Sequence, residues 1–152
     1  MQISDNRITI LILDDDPDIV TTLEQGLRRG FCVSAFTDPR LALEHFESNY
    51  RAYDLVISDI RMPQMNGFEF IKKVKEVKPT VKVFFMTAFE IPYIEFPNLF
   101  PSVIVDEFIQ KPVSIAKVER LILAHIPKKV HDKVKSRHVV KPSKPYAITR
   151  SL

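Results

Sequence analysis

One cysteine, three glycines and no tryptophan are found in a chain of 152 residues. A lone Cys32 excludes an intrachain disulfide and a CxxC metal pair, and suits a reducing compartment. It lies in the apolar run Phe31–Phe36 and is expected as a buried strand residue. With so few glycines there is no GxGxxG or GxxxxGK[ST], so a nucleotide-cradling loop is not expected. His45, His125, His131 and His138 lack the HExxH or HxH spacing of a zinc site. Long hydrophobic runs are missing too: Ile8–Leu13 is far shorter than the roughly 20 residues of a membrane span. Met1–Arg7 is polar and unlike a signal peptide. These absences lead us to expect a cytoplasmic protein with no membrane contact.

What is present suits a globular domain: 45% of residues are hydrophobic and 27% charged. The net charge of +3 hides an uneven distribution. Residues 128–152 carry eight Lys or Arg against the single acid Asp132, a net +7. Subtracting this from +3 leaves −4 for residues 1–127. An acidic body, about residues 5–126, is therefore followed by a basic tail, 127–152, whose charge and prolines predict disorder.

Short apolar segments alternate with helix-period segments. Ile8–Leu13, Phe31–Phe36, Asp54–Ser58, Val81–Met86 and Val105–Gln110 read as five strands. Asp16-Pro17 and Asp38-Pro39 each combine a helix N-cap with proline at the first helical position. Ile19, Leu23 and Leu27 form one buried stripe, and Gly30 is placed to end that helix. A helix over Gly67–Lys78 presents Phe70, Ile71, Val74 and Val77, and a last one starts at Ser114 with Val118, Leu121, Ile122 and Ile126 inward. Strands joined by helices imply a doubly wound, five-stranded parallel sheet of the flavodoxin-like (βα)5 kind. The fourth helix should be irregular, short or broken within Tyr93–Phe100, because Pro92, Pro97 and Pro101 interrupt it.

Open parallel sheets bind ligands beyond the carboxyl ends of their strands. There the sequence places Asp14, Asp15 and Asp16, then Asp59, then Thr87, then Lys111. Two carboxylates about 4 Å apart repel by about 4 kcal/mol at an effective dielectric of 20, so a divalent cation is expected among them. Few carboxylates in a part-solvated loop suit Mg²⁺, which keeps waters and accepts phosphate oxygens. A carboxylate can also attack phosphorus and form an acyl phosphate. Asp59, alone on its strand end, is the natural nucleophile, with the adjacent Asp14 and Asp15 as metal holders. Lys111 and the Thr87 hydroxyl can then neutralise phosphoryl oxygens. Asp16 reads best as a helix cap.

The segments LILDDDPDI, DLVISDIRMPQMNG, FFMTA and FIQKP together resemble the receiver domain of two-component response regulators. The resemblance spans about residues 5–126 and implies a single-domain regulator of a phosphorelay. It implies that Asp59 takes a phosphoryl group from the phosphohistidine of a histidine kinase. It also implies direct Mg²⁺ contact by Asp15, Asp59 and the Arg61 carbonyl, with Asp14 acting through water. Thr87 and Phe108 match the family's switch pair, which alters an output face read by a downstream protein. The chain would then be a signalling domain that catalyses only its own phosphorylation and dephosphorylation, rather than an enzyme.

Other readings remain open at this stage. A haloacid-dehalogenase-like phosphatase would use Asp14 as nucleophile and Asp16 as acid. A DNA-associated regulator would act through the tail. Residues 128–152 are too few for a sequence-specific DNA-binding module with its own core, which leaves weak nonspecific nucleic-acid contact. Pairing into a homodimer through the unusual fourth-helix region is also left open.

Overall fold

A computed structural model describes residues 5–88 and 104–127. Its strands are β1 (Thr9–Leu13), β2 (Cys32–Phe36), β3 (Leu55–Asp59), β4 (Lys82–Thr87) and β5 (Glu107–Gln110). Among the described residues there are four α-helices: α1 (Pro17–Leu27), α2 (Pro39–Asn49), α3 (Gly67–Val77) and α4 (Ile115–His125). The strands pair in parallel in the order β2-β1-β3-β4-β5, the flavodoxin-like arrangement expected from the alternation of elements.

β1, β3 and β4 run through the middle and are buried along almost their whole length. Their alternating side chains feed two cores, one on each face of the sheet. Leu11, Leu13, Val56 and Phe85 pack against Phe46 of α2 and Phe70 of α3. Ile10, Ile12, Ile57 and Phe84 pack against Leu23 of α1 and Val118 and Ile122 of α4. Burying each such side chain is worth about 1.5–3 kcal/mol.

The helix starts follow the cap logic. Asp16 accepts the Asp18 N–H, Asp38 accepts the Arg40 N–H, and Ser114 accepts the Lys117 N–H. Asn66, at which the sequence reading named no cap, caps α3 by accepting the Glu69 N–H. An Asn-x-x-Glu capping box was the available signal.

Several expectations shift. Cys32 is half-buried rather than buried, because β2 is an edge strand whose residues are all only partly covered. Gly30 has no positive φ, and α1 stops at Leu27 with an ordinary right-handed cap at Arg28. Val20 is buried beside Leu23 and Leu27 in α1, whereas Ile19 is only partly covered. β3 and β4 each run one residue past the expected Ser58 and Met86, to end on Asp59 and Thr87, and β5 begins at Glu107 rather than Val105. The irregular fourth helix expected near Tyr93–Phe100, and the tail beyond Pro127, lie outside the described residues.

Candidate functional site at the carboxyl edge of the sheet

The order of strand addition reverses at β1: from β1 the sheet is built outward to β2, then back across to β3 on its other side. At that switch point Leu13 is in register with Ser58, so the next residues, Asp14 and Asp59, stand side by side. Carboxylate oxygens of Asp14, Asp15 and Asp59 lie within 4.8 Å of one another. Asp15 is exposed, whereas Asp14 is fully buried and Asp59 nearly so.

Lys111, carried just past β5, reaches into this group. Its Nζ lies 2.8 Å from Asp14 Oδ2 and 3.4 Å from Asp59 Oδ1. The lysine is brought there by the sheet: its N–H donates to the Thr87 carbonyl at 2.7 Å, locking the ends of β4 and β5 together. The peptide that follows, Lys111–Pro112, is cis. Thr87 itself is 7% exposed at the end of β4. Phe108 is half-buried on β5, its ring 6.0 Å from that of Phe85.

Local backbone fixes the two central carboxylates. Asp14 Oδ1 accepts the Asp16 N–H at 2.9 Å, while Asp16 turns its own carboxylate to the Asp18 N–H. Asp16 is thus the expected cap and sits outside the acidic group. Asp59 Oδ1 accepts the Ile60 N–H at 2.9 Å. Behind Asp59 the loop is closed by the Gly67 N–H donating to the Ile60 carbonyl at 2.7 Å. A Cβ on Gly67 would fall 2.1 Å from the Asp59 carbonyl oxygen and 2.9 Å from Ile60 Cα. Only glycine lets α3 begin so close to the end of β3. The loop's tight bend is at Gln64, φ 72°, where the Met65 N–H donates to the Pro63 carbonyl.

The electrostatics follow from this crowding. Burial, reinforced by the neighbouring Asp14 carboxylate, pushes Asp59 up to about 6, against the opposing pull of Lys111. Burial alone would lower the Lys111 ammonium, but its contacts with Asp14 and Asp59 outweigh it and leave the group raised. At neutral pH Asp59 is therefore ionised beside a firmly charged lysine. Among the described residues Asp14 Oδ2 is buried with no hydrogen bond of good geometry, and the Lys111 ammonium lies 2.8 Å from it. Hard oxygen donors, an incompletely satisfied buried carboxylate and an exposed third acid fit a divalent cation such as Mg²⁺.

The structure brings together Asp14, Asp15, Asp59, Thr87 and Lys111 at one edge, as the sequence led us to expect. From the sequence Gly67 was expected only to relieve the turn into the helix; the structure adds the close approach of the Asp59 carbonyl as the reason for it. Its signal was a glycine at the first position of a helix, where nothing about capping calls for one.

Comparison with known proteins agrees with the geometry. Residues 10–123 match the response regulator receiver domain family. A probable cyclic di-GMP phosphodiesterase of Vibrio cholerae is 33% identical over 126 residues, covering 82% of this chain and 28% of that protein. The transcriptional regulatory protein ZraR of Escherichia coli O157:H7 is 38% identical over 85 residues, covering 55% of this chain and 19% of its own length. The chain thus spans less than a third of these curated relatives. Among solved structures, a CheY-like receiver domain protein of Methanospirillum hungatei superposes with a TM-score of 0.67 at 26% identity, covering 76% of this chain and 90% of that one. The CheX–CheY–BeF3–Mg complex of Borrelia burgdorferi gives a TM-score of 0.68 at 26% identity, covering 78% and 90%. Fold, strand-end residues and family match converge, and the chain belongs to the response regulator receiver domain family.

Proposed function

We propose that this chain accepts a phosphoryl group on Asp59 from the phosphohistidine of a histidine kinase, in a Mg²⁺-dependent reaction, and signals through the state of that residue. The observation that carries the reading is the Asp14–Lys111–Asp59 contact set, which leaves one carboxylate both ionised and reachable. Among the described residues, both contacts of Asp59 fall on Oδ1. Oδ2 is therefore the attacking oxygen. It forms an O–P bond as the N–P bond of phosphohistidine breaks and the imidazole leaves with the electron pair.

Asp15, Asp59 and the Arg61 carbonyl, with Asp14 acting through water, would hold Mg²⁺, which when bound would neutralise phosphoryl charge. Lys111 places its ammonium against a second phosphoryl oxygen, and the Thr87 hydroxyl donates to a third. Thr87 and Phe108 act as the switch pair, since Thr87 ends β4 and Phe108 lies one strand over, in register with Phe85. The downstream partner reads that change.

The phosphatase alternative needs Asp14 as nucleophile. Asp14 is fully buried, its Oδ1 held by a backbone N–H and its Oδ2 facing Lys111, so it is closed to an incoming phosphorus. The decisive test is intact mass after incubation with acetyl phosphate and Mg²⁺. One added phosphoryl group is expected, absent in Asp59→Asn and in EDTA. An adduct that survives Asp59→Asn but not Asp14→Asn would overturn the assignment.

A further inference from the structure

The residue before the acceptor carries a hydroxyl into the interior. Ser58 is fully buried in β3. Side chains alternate along a strand, so Ser58 shares the face of Val56, toward α2 and α3. Asp59 shares the face of Ile57, toward α1 and α4. The hydroxyl is thus separated from the acceptor carboxylate by the sheet and does not touch an incoming phosphoryl group. It donates instead to the backbone carbonyl of Asp59, at 2.8 Å.

That carbonyl stands where the strand ladder runs out. The Lys82 N–H donates to the Asp54 carbonyl, so even-numbered residues of β3 turn their backbone groups to β4, and Asp59 turns its own to β1. The register with β1 stops at Leu13 opposite Ser58, which leaves no strand residue of β1 to meet the Asp59 carbonyl. Buried carbonyls are costly without a donor, and the Ser58 hydroxyl takes the place of the missing ladder N–H. Gly67 confines the same oxygen from another side, since a Cβ there would fall 2.1 Å from it.

One peptide then links the serine to the reacting group. The Asp59 carbonyl and the Ile60 N–H belong to a single planar unit. Ser58 holds its carbonyl end, and its N–H end donates to Asp59 Oδ1 at 2.9 Å. Rotating that plane would swing the N–H away from Oδ1 and release the carboxylate to turn about its own bond. We propose that Ser58 is a positioning residue for phosphoryl transfer: through the Asp59–Ile60 peptide, its buried hydroxyl fixes the acceptor carboxylate with Oδ2 toward the incoming phosphorus. This role rests on Asp59 being the acceptor. The Gly67 N–H fixes the next peptide by donating to the Ile60 carbonyl, so hydroxyl and glycine brace two successive peptides behind the carboxylate.

The test uses the whole 152-residue chain. Ser58→Ala removes the hydroxyl, and Ser58→Cys keeps the side chain's size with only a weak donor. Each should slow phosphorylation of Asp59 by acetyl phosphate and Mg²⁺ about tenfold, read by intact mass. In the metal-free, unphosphorylated protein, the Ile60 amide proton should move upfield in the NMR spectrum and exchange faster with solvent. Ser34→Ala, which deletes a hydroxyl on β2, should leave both readouts unchanged. Circular dichroism would confirm that the variants fold. Ser58 variants that match the rate of a phosphorylated parent would overturn the proposal, as would a slowed rate with the Ile60 amide unmoved. Parent-like behaviour of Ser58→Cys alone would assign the effect to volume and equally overturn it. A parent that takes no phosphoryl group would instead overturn the acceptor reading, and the Ile60 amide would still report whether Ser58 holds that peptide.

Discussion

Replacing Asp59 with asparagine should make the metal-free protein more stable while abolishing phosphorylation. The side chain keeps its shape and can still accept the Ile60 N–H through its carbonyl oxygen. What it loses is a carboxylate held at about 6 in the fold against an ordinary value near 3.8. Each tenfold change in proton affinity is worth about 1.36 kcal/mol, giving roughly 3 kcal/mol of cost when the group ionises in the fold. Screening by solvent reduces this to about 1–2 kcal/mol. The sign is set by linkage: the folded state holds this proton more tightly than the open chain does. Stability from Asp59 is therefore fully present below about 3.8 and is lost as pH rises through about 6. Urea denaturation in EDTA should find Asp59→Asn more stable than the parent by about 1–2 kcal/mol at pH 7, with the gap narrowing toward zero at about pH 4. A variant less stable than the parent at pH 7, or a gap that does not change with pH, would refute the electrostatic reasoning.

Other consequences are as direct. Mg²⁺ at about 100 times its dissociation constant should stabilise the parent by about 2.7 kcal/mol in thermal or urea melts, and much less in Asp15→Asn. Because protons and Mg²⁺ compete for the same oxygens, that stabilisation should fade below about pH 6. Gly67→Ala should destabilise the fold by about 3 kcal/mol, the upper end for overpacking, since backbone crowds the new methyl from both Asp59 and Ile60; urea melts measure it. Lys111→Met should slow phosphorylation by acetyl phosphate by about a hundredfold, read by mass spectrometry, through loss of one oriented cation.

Most of the site was legible because a parallel sheet turns strand order into spatial convergence. Once Ile8–Leu13 and Asp54–Ser58 are read as neighbouring strands, Asp14 and Asp59 must meet, and the register of Leu13 with Ser58 is how they do. Thr87 and Lys111 were legible in the same way. The helix caps at Asp16 and Asp38 were equally plain, since an aspartate before a proline leaves few alternatives. Edges were harder to read. Cys32 sits in an apolar run, but burial depends on how many strands flank it, and sequence alone does not say that β2 is outermost. Gly67 was harder still, because its constraint comes from the carbonyl of Asp59, a contact that exists only after the loop has closed.

The hydrogen bond from the Lys111 N–H to the Thr87 carbonyl has a mechanical consequence. Four ladder pairs, from Phe84 with Glu107 to Thr87 with Gln110, already rivet β4 to β5, and this bond extends the seam past the last strand residue. Hydroxyl and ammonium are thus mounted on one rigid plate. Their backbone origins cannot be drawn toward a new ligand separately: displacing one levers the other, and carries Phe108 with it.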